Sequence, residues 1–181
     1  LYGNMPLVEP QEYKEVKKIQ DFVIAIDTSM SCSGELVKTF LSETCGILLE
    51  TESFFKKVRI HIIQCDEKIQ HDARIGSVEE LKDYMEHFEL KGGGGTDFRP
   101  VFSHVEELRE QGELRGLKGL LYFTDGKGRY PKKRPDYDVA FLFMQEDYTD
   151  VAVPPWAMRL ILSAPDLEEA GKRLDKNIKF V

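Results

Sequence analysis

The chain has 181 residues, of which 41% are apolar and 31% are charged, and its formal net charge is −7 at pH 7. This length provides one sizeable hydrophobic core and is short for two, so we expect a single globular domain. The acidic balance argues against nucleic acid as a partner. The absence of any run of about 18 apolar residues argues against a membrane-spanning helix.

The first predicted strand follows a polar segment. Residues 1–20 mix prolines with charged side chains, and we predict a surface lead-in there, followed by one domain over residues 21–181. Phe22–Ile26 is an unbroken apolar run, which favours a strand buried on both faces of a parallel sheet. From Gly34 to Phe55, apolar residues recur at intervals close to three and four, which is the period of an amphipathic helix.

A hairpin and a capped helix are predicted next. Val58–Cys65 has the composition of a second strand, and Lys68–Ile75 is expected to return beside it as an antiparallel edge strand. Ser77 and Glu80 match a capping box, in which the serine side chain accepts a hydrogen bond from the backbone three residues on. This box predicts a helix that ends near Phe88.

A glycine-rich loop separates this hairpin from the second half of the chain. Gly92–Gly95 places four glycines in a row, which costs backbone entropy in any regular element. We therefore predict a loop with unusual backbone angles or with a close approach to another segment. A helix over Phe98–Gln111 and a strand over Gly119–Thr124 follow. The remaining predicted elements are the strands Val139–Met144 and Met158–Ala164 and a short helix, Asp166–Leu174.

The alternation of strands and helices indicates an α/β fold. Strands separated by helices form mostly parallel sheets that are covered by helices on both faces. We predict a doubly wound, Rossmann-like sheet of about six strands, with one antiparallel edge strand.

Polar side chains occur where three of these segments meet a loop. In open α/β sheets, ligands bind beyond the carboxyl ends of the strands. Carboxylate and hydroxyl oxygens are hard donors that suit Mg²⁺, Mn²⁺ or Ca²⁺ rather than zinc. The alternative interpretation is that the serines after the first strand cap the helix that follows. The candidate metal-binding residues are Asp27, Ser29, Ser31, Thr96 and Asp125.

These five residues form the pattern D-x-S-x-S, then T, then D, which resembles the metal-ion-dependent adhesion site of the von Willebrand factor A (vWA) family. The resemblance extends from Phe22 to Ala164 and includes Gly-Gly-Thr-Asp in the glycine-rich loop and Thr-Asp-Gly after the fourth strand. The compact length and the sequence Pro154-Pro155-Trp156 are similar, more narrowly, to the C-terminal vWA-like domain of predicted bacterial metallopeptidases.

The resemblance implies a role for each of the five residues. Ser29 and Ser31 would coordinate the metal directly through their hydroxyls, and Thr96 would join them when a ligand is bound. Asp27 and Asp125 would hold metal-bound water. An Mg²⁺ ion held mainly by neutral hydroxyls stays short of negative charge, so an acidic side chain of a partner can complete its ligand shell.

The resemblance therefore implies a non-enzymatic module of the bacterial cytoplasm that binds Asp or Glu of a protein partner through Mg²⁺, Mn²⁺ or Ca²⁺. Bacterial proteins of this type work with AAA-type ATPases, and a metallopeptidase-like region would lie upstream, outside this chain. The alternative function is a Mg²⁺-dependent phosphohydrolase with Asp27 as its nucleophile. Ser29 stands where such an enzyme requires a second acid, and the sequence contains neither H-E-x-x-H nor G-x-S-x-G.

Three further features carry their own expectations. Cys32, Cys45 and Cys65 are odd in number and lack CxxC spacing, so we interpret them as reduced thiols of a cytosolic protein. Asp97 precedes a predicted helix and is expected to cap or brace it. The basic segment Lys127–Arg134 is either a solvated loop or a flank of the metal site that attracts acidic partners.

Overall fold

The computed structural model describes residues 20–32, 34–50, 58–144 and 152–163, without the side chains of residues 36 and 45–50. Within these residues the chain forms six strands and three helices. The strands are β1 (Gln20–Asp27), β2 (Val58–Cys65), β3 (Ile69–Ile75), β4 (Leu117–Phe123), β5 (Asp138–Met144) and β6 (Met158–Leu162). The helices are α1 (Gly34–Glu50), α2 (Val78–Glu86) and α3 (Arg99–Glu110).

Most predicted elements are present with small shifts at their ends. β1 begins at Gln20, the last residue assigned to the lead-in, and the rest of that lead-in lies outside the described residues. The continuation of the first helix beyond Glu50 and the predicted helix Asp166–Leu174 also lie outside them. α2 ends at Glu86, where the His87 N–H closes the last turn on the Asp83 carbonyl.

The six strands form one sheet in the order β3-β2-β1-β4-β5-β6. All neighbouring strands are parallel except β2 and β3, which confirms the predicted mostly parallel sheet with one antiparallel edge strand. β2 pairs with one side of β1 and β4 pairs with the other, so the direction of strand addition reverses at β1. Open α/β sheets bind ligands at the carboxyl ends of the strands beside such a reversal.

β1 is apolar on both sides because both faces of the sheet are covered. Val23 and Ala25 pack in the core cluster that contains α3, and Ile24 and Ile26 pack in the cluster that contains α1 and α2. All four side chains are buried, and burial of a valine or isoleucine contributes about 1.5–3 kcal/mol relative to an exposed position. The continuous apolar run fixes β1 at the centre of the sheet, and Asp27 follows this run at the carboxyl end of the strand.

The predicted serine cap forms at Ser77, while the Glu80 side chain bonds one residue upstream of the cap. The Glu80 backbone N–H donates to Ser77 Oγ at 3.1 Å. The Glu80 carboxylate reaches back to accept from the Gly76 N–H at 2.6 Å. α2 therefore starts at a fixed point and turns Leu81 into the core beside β2.

A carboxylate on the edge strand β3 is hydrogen-bonded to side chains of β2 and α3. Asp72 on β3 accepts hydrogen bonds from His61 Nδ1 on β2 at 3.0 Å and from His104 Nε2 on α3 at 2.7 Å. Burial acts to raise the pKa of Asp72, but the two histidine hydrogen bonds outweigh burial and hold the pKa below its ordinary value of 3.8. The ionised form of Asp72 therefore stabilises the folded state.

We expect Asp72→Asn to lower the free energy of unfolding by about 1.5–3 kcal/mol near pH 7, the usual worth of hydrogen bonds to a charged group. A carboxylate whose folded pKa is lowered contributes stability above its unfolded pKa, and that stability is lost as the pH falls through the folded value. The difference between wild type and variant should therefore shrink as the pH is taken below 3.8. Urea unfolding over this pH range checks the prediction, and a difference that stays constant with pH would contradict it.

Candidate metal centre

Three loops meet at the carboxyl edge of the sheet. The first loop, residues 28–32, follows β1; the glycine loop, residues 92–98, precedes α3; the third loop, residues 124–130, follows β4. β1 and β4 are neighbours, and their register pairs Ile26 with Phe123, so the first and third loops leave the sheet side by side. The five candidate residues lie at the end of β1 or in these three loops.

The glycine loop packs directly on the first loop. The Gly93 N–H donates to the Thr28 carbonyl at 2.8 Å, and the Met30 N–H donates to the Gly94 carbonyl at 3.2 Å. Gly92 and Gly93 have φ angles of 142° and 110°, which favour glycine. A Cβ on Gly92 would lie 2.2 Å from Thr28 Oγ1. The predicted unusual backbone angles and close approach therefore both occur.

Asp66 anchors the glycine loop, although it is not among the candidate residues predicted from the sequence. Its carboxylate is nearly buried and accepts from the backbone of Lys68 and Gly94 and from the side chain of Gln70, each at about 3 Å. Its backbone carbonyl accepts from the Asp97 N–H at 3.1 Å. Asp66 follows the apolar strand β2 directly, so the signal that identified the acids after β1 and β4 could also have identified Asp66.

Asp27 is fully buried and both of its carboxylate oxygens accept hydrogen bonds. Oδ1 accepts from the Ser29 N–H at 2.9 Å, and Oδ2 accepts from the Thr124 hydroxyl at 2.5 Å. Burial raises the pKa of Asp27 above its ordinary value, the Thr124 and Ser29 hydrogen bonds act against this rise, and the nearby Asp125 adds to it. Thr124 was missed in the sequence because only the fold shows that its hydroxyl faces β1.

Asp125 is 6% exposed and retains an unused acceptor. Its Oδ1 accepts from the Lys127 N–H at 3.0 Å, whereas its buried Oδ2 accepts no hydrogen bond. Of the cations in the described residues, Lys127 Nζ comes nearest to Oδ2, at 3.9 Å, which is beyond hydrogen-bond distance. Buried carboxylate oxygens are normally satisfied, so this oxygen is available to a ligand.

The structure brings Asp27 and Asp125 together with an unexpected third residue. Three potential ligand atoms, one from each of Asp27, Cys32 and Asp125, lie within 4.8 Å of one another. Cys32 was interpreted from the sequence only as a reduced thiol. Its position directly after Ser31 could have identified it as a further candidate residue of the site. Burial, and then the charge of Asp27, raise the pKa of the Cys32 thiol to about 12.

The two serines of the first loop follow Asp27, and the Ser29 N–H donates to its carboxylate. Their hydroxyls are 3.2 Å apart, with Ser29 buried and Ser31 exposed to solvent. Met30 between them is 83% exposed. An ion placed among these groups would meet hydroxyl and carboxylate oxygens, a donor set that fits Mg²⁺, Mn²⁺ or Ca²⁺.

Thr96 is placed beside the third loop by the backbone around it. The neighbouring Asp97 pairs with Arg129, and the Phe98 N–H donates to the Arg129 carbonyl at 3.1 Å, which ties the glycine loop to the third loop. A Cβ on Gly128 would lie 2.6 Å from Thr96 Cγ2. Within the described part of the chain, no hydrogen bond joins the Thr96 hydroxyl to the other four candidates.

The remaining two expectations for this edge can also be compared with the geometry. Asp97 accepts from the Arg99 N–H at 3.0 Å and from the Arg99 guanidinium, so it braces the start of α3 as predicted. Lys127 of the basic segment approaches Asp125, which places this segment at the flank of the candidate site. None of the described helices has the length and apolarity that crossing a membrane requires.

The mostly parallel sheet and the loops gathered at its carboxyl edge define a vWA-like α/β domain. Residues 22–163 match the family model of the VWA-like domain (DUF2201), and this match covers most of the chain. The chain belongs to this family. The resemblance noted in the sequence is thereby confirmed at the level of the VWA-like domain, while no curated protein matches the chain.

Solved structures agree on the fold. The SpRpn10 VWA domain has a TM-score of 0.53 at 7% identity, over 86% of this chain and 95% of that one. An aerotolerance-related membrane protein from Bacteroides fragilis, crystallised with multiple mutations to serines, has a TM-score of 0.55 at 11% identity, over 87% and 99% of the two chains. The pilus adhesin SpaC from Lactobacillus rhamnosus GG has the same TM-score and identity, but this chain spans only 30% of its length.

Proposed function

We propose that this domain is a metal-dependent protein-interaction module. A divalent cation, Mg²⁺ or else Mn²⁺ or Ca²⁺, would be held by Ser29, Ser31 and Thr96, with Asp27 and Asp125 holding its water. The cation would then accept an Asp or Glu side chain from a partner. The observation that carries this proposal is the pair of buried carboxylates at the carboxyl edge of the sheet, one of which has an oxygen without a hydrogen bond. VWA-like domains are commonly protein-interaction modules, which supports the same conclusion.

The electrostatics of the pair favour a bound cation. Asp27 and Asp125 are both buried, and the pKa of Asp27 is raised, mainly by its burial and to a smaller extent by the charge of Asp125. Buried charges are stable only when they are paired or bound to a metal. Among the residues that the structure describes, the cationic group near this pair is Lys127 Nζ, 3.9 Å from Asp125 Oδ2, on a side chain that is 59% exposed. A divalent cation supplies the positive charge that this lysine provides only weakly.

The geometry argues against the alternative in which Asp27 is the nucleophile of a phosphohydrolase. Asp27 has no exposed surface, and both of its oxygens accept hydrogen bonds from Ser29 and Thr124. A nucleophile must reach the reacting atom of its substrate. No histidine of the described chain belongs to the acidic cluster, so the cluster itself supplies no histidine as general base.

The surface around the site fits an acidic partner. Lys127 and Arg129 are exposed on the third loop, and such positive charge steers an acidic surface toward the site. We propose an AAA-type ATPase as the partner class and the bacterial cytoplasm as the setting, with a metallopeptidase-like region outside this chain. The partner class, the bacterial source and the metallopeptidase-like region come from the family resemblance, and the cytoplasm comes from the interpretation of the cysteines as reduced thiols. The free thiols of Cys32 and Cys65 are compatible with a reducing compartment.

The first test measures metal binding. We expect Mg²⁺ or Mn²⁺ to raise the midpoint of thermal unfolding, because a ligand that binds only the folded state stabilises it by mass action. Ser31→Ala and Thr96→Ala should weaken the metal affinity at least about 10-fold, the lower range for loss of a supporting group at a metal site. Ser42→Ala, an exposed serine on α1, is the matched control and should behave like wild type. Identical metal titrations for all four proteins would contradict the proposed site.

The second test concerns the partner and the alternative function. The domain is immobilised and exposed to extract of the native cell with Mg²⁺ or with EDTA, and captured proteins are identified and then purified for a binding assay. Binding of the purified partner should require metal and be lost in Ser31→Ala but not in Ser42→Ala. Metal-dependent hydrolysis of phosphate esters by the domain, abolished by Asp27→Asn, would favour the phosphohydrolase instead.

A further inference from the structure

A thiol lies inside the cluster of acids that the proposed function uses. Cys32 follows Ser31 directly, and its sulfur lies within 4.8 Å of ligand atoms of both Asp27 and Asp125. The proposed set of hard oxygen ligands gives this sulfur no role. Thiolates select softer ions such as Zn²⁺ over Mg²⁺, so the composition of the cluster differs from that of a purely hard-ion site.

The spacing of the three groups is close to what a tetrahedral ion requires. Zinc bonds of about 2.0 Å to oxygen and 2.3 Å to sulfur separate neighbouring ligand atoms by about 3.3–3.5 Å. Ligand atoms that already lie within 4.8 Å of one another therefore need to close by at most about 1.5 Å. Cys32 lies in a short loop and is only half-buried, so both this small closure and entry of an ion are possible.

Asp125 provides an independent indication that the cluster accepts a ligand. The residue is only 6% exposed, and its buried Oδ2 accepts no hydrogen bond. Both oxygens of Asp27, by contrast, are already satisfied by neutral donors. Asp27, Cys32 and Asp125 thus each place one ligand atom at short range, and Asp125 also carries a carboxylate oxygen that accepts no hydrogen bond.

We propose that Asp27, Cys32 and Asp125 form a site for a thiophilic divalent cation, Zn²⁺ or Cd²⁺, which competes with the hard ion at the same place. This inference rests on the proposed function for the location of the metal. On binding, the metal–sulfur bond replaces the sulfur–hydrogen bond of Cys32, and the proton is released to solvent. Three protein ligands leave a fourth position of a tetrahedral ion open. A carboxylate from a partner can occupy that position, so the soft ion retains the adhesive property of the site.

The test uses Cd²⁺, whose bond to a thiolate has a charge-transfer absorption in the ultraviolet. Reduced wild-type protein is titrated with Cd²⁺ and should develop a saturable band at one equivalent. Cys32→Ser should lose the band, and its Zn²⁺ affinity should fall at least about 10-fold, as expected when a metal site loses a group that supports it. Cys45→Ser is the matched control, since it also removes one thiol, and it should keep the band. Circular dichroism establishes that each variant is folded.

The outcomes separate this inference from the proposed function. A band that persists in Cys32→Ser, or no band in wild type, overturns the inference. Titration of wild type with Mg²⁺ in parallel shows where the failure lies. If wild type binds Mg²⁺ but gives no band, the proposed function survives without the thiol. If it binds neither ion, both proposals fail together.

Discussion

Gly92→Ala is expected to lower the free energy of unfolding by about 2–6 kcal/mol, which combines backbone strain and overpacking at roughly 1–3 kcal/mol each. The φ of Gly92 is 142°, where a side chain is strained. The new Cβ would also lie 2.2 Å from Thr28 Oγ1 and 2.8 Å from the Thr28 carbonyl oxygen. Because part of this clash is with backbone, rotation of one side chain cannot relieve it. Urea unfolding measures the change in stability.

The same substitution should also disturb the proposed metal site. The glycine loop is bonded to the first loop through Gly93 and Thr28, so moving one displaces the other. Gly93→Ala is the matched control, because its φ is 110° but a Cβ there meets no atom within 4 Å. The control should lose only the strain contribution of about 1–3 kcal/mol and retain more of its Mg²⁺ affinity. Equal losses at the two positions would show that close packing on Thr28 is unimportant.

Phe98→Ala is expected to lower the free energy of unfolding by about 3–5 kcal/mol, the usual range for deleting a buried phenylalanine ring. Phe98 is fully buried at the start of α3. Its ring lies 5.0 Å from the Tyr122 ring, 4.7 Å from that of Tyr130 and 5.7 Å from that of Phe141, measured between centroids. Removing the ring therefore leaves a cavity between α3, the sheet and the third loop. Chemical denaturation monitored by circular dichroism gives the value.

Phe98 also positions the third loop, which adds a second readout. A Cβ on Gly128 would lie 2.6 Å from Phe98 Cζ, so the loop rests closely on the ring. Phe98→Leu keeps most of the apolar volume, so it should lower the free energy of unfolding less than the alanine variant does. Metal affinity should fall in the order wild type, leucine variant, alanine variant. A large loss of stability with unchanged metal affinity would show that the ring supports the core but does not position the loop.

Much of the fold could be predicted from local pattern. Phe22–Ile26 is apolar at every position, and only a central strand covered on both faces buries such a run. The Ser77 and Glu80 box places the start of α2 because its hydrogen bonds form within a few residues of chain. The four glycines from Gly92 predicted a loop with close contacts for the same local reason, since glycine alone tolerates these backbone angles.

The candidate site was predicted in part, because residue types at strand ends show which side chains are available but not how they meet. Asp27 and Asp125 could be identified because each follows an apolar strand, and in a parallel sheet those ends lie at one edge. Their burial, the bond from Thr124 to Asp27 and the unused oxygen of Asp125 depend on how β1 and β4 are aligned. β1 and β4 are far apart in the chain, so no short stretch of sequence reveals how they are aligned.

The sequence by itself therefore determined the succession of strands and helices along the chain and the helix caps. It also determined which candidate ligand atoms follow the strands. Each of these features follows from interactions within a few residues. Only the tertiary structure decided that Cys32 joins two carboxylates, that Asp66 anchors the glycine loop and that Gly92 packs on Thr28. The last two contacts join residues far apart in the chain. All three arrangements depend on parallel pairing and loop packing, which bring together groups that no local pattern relates.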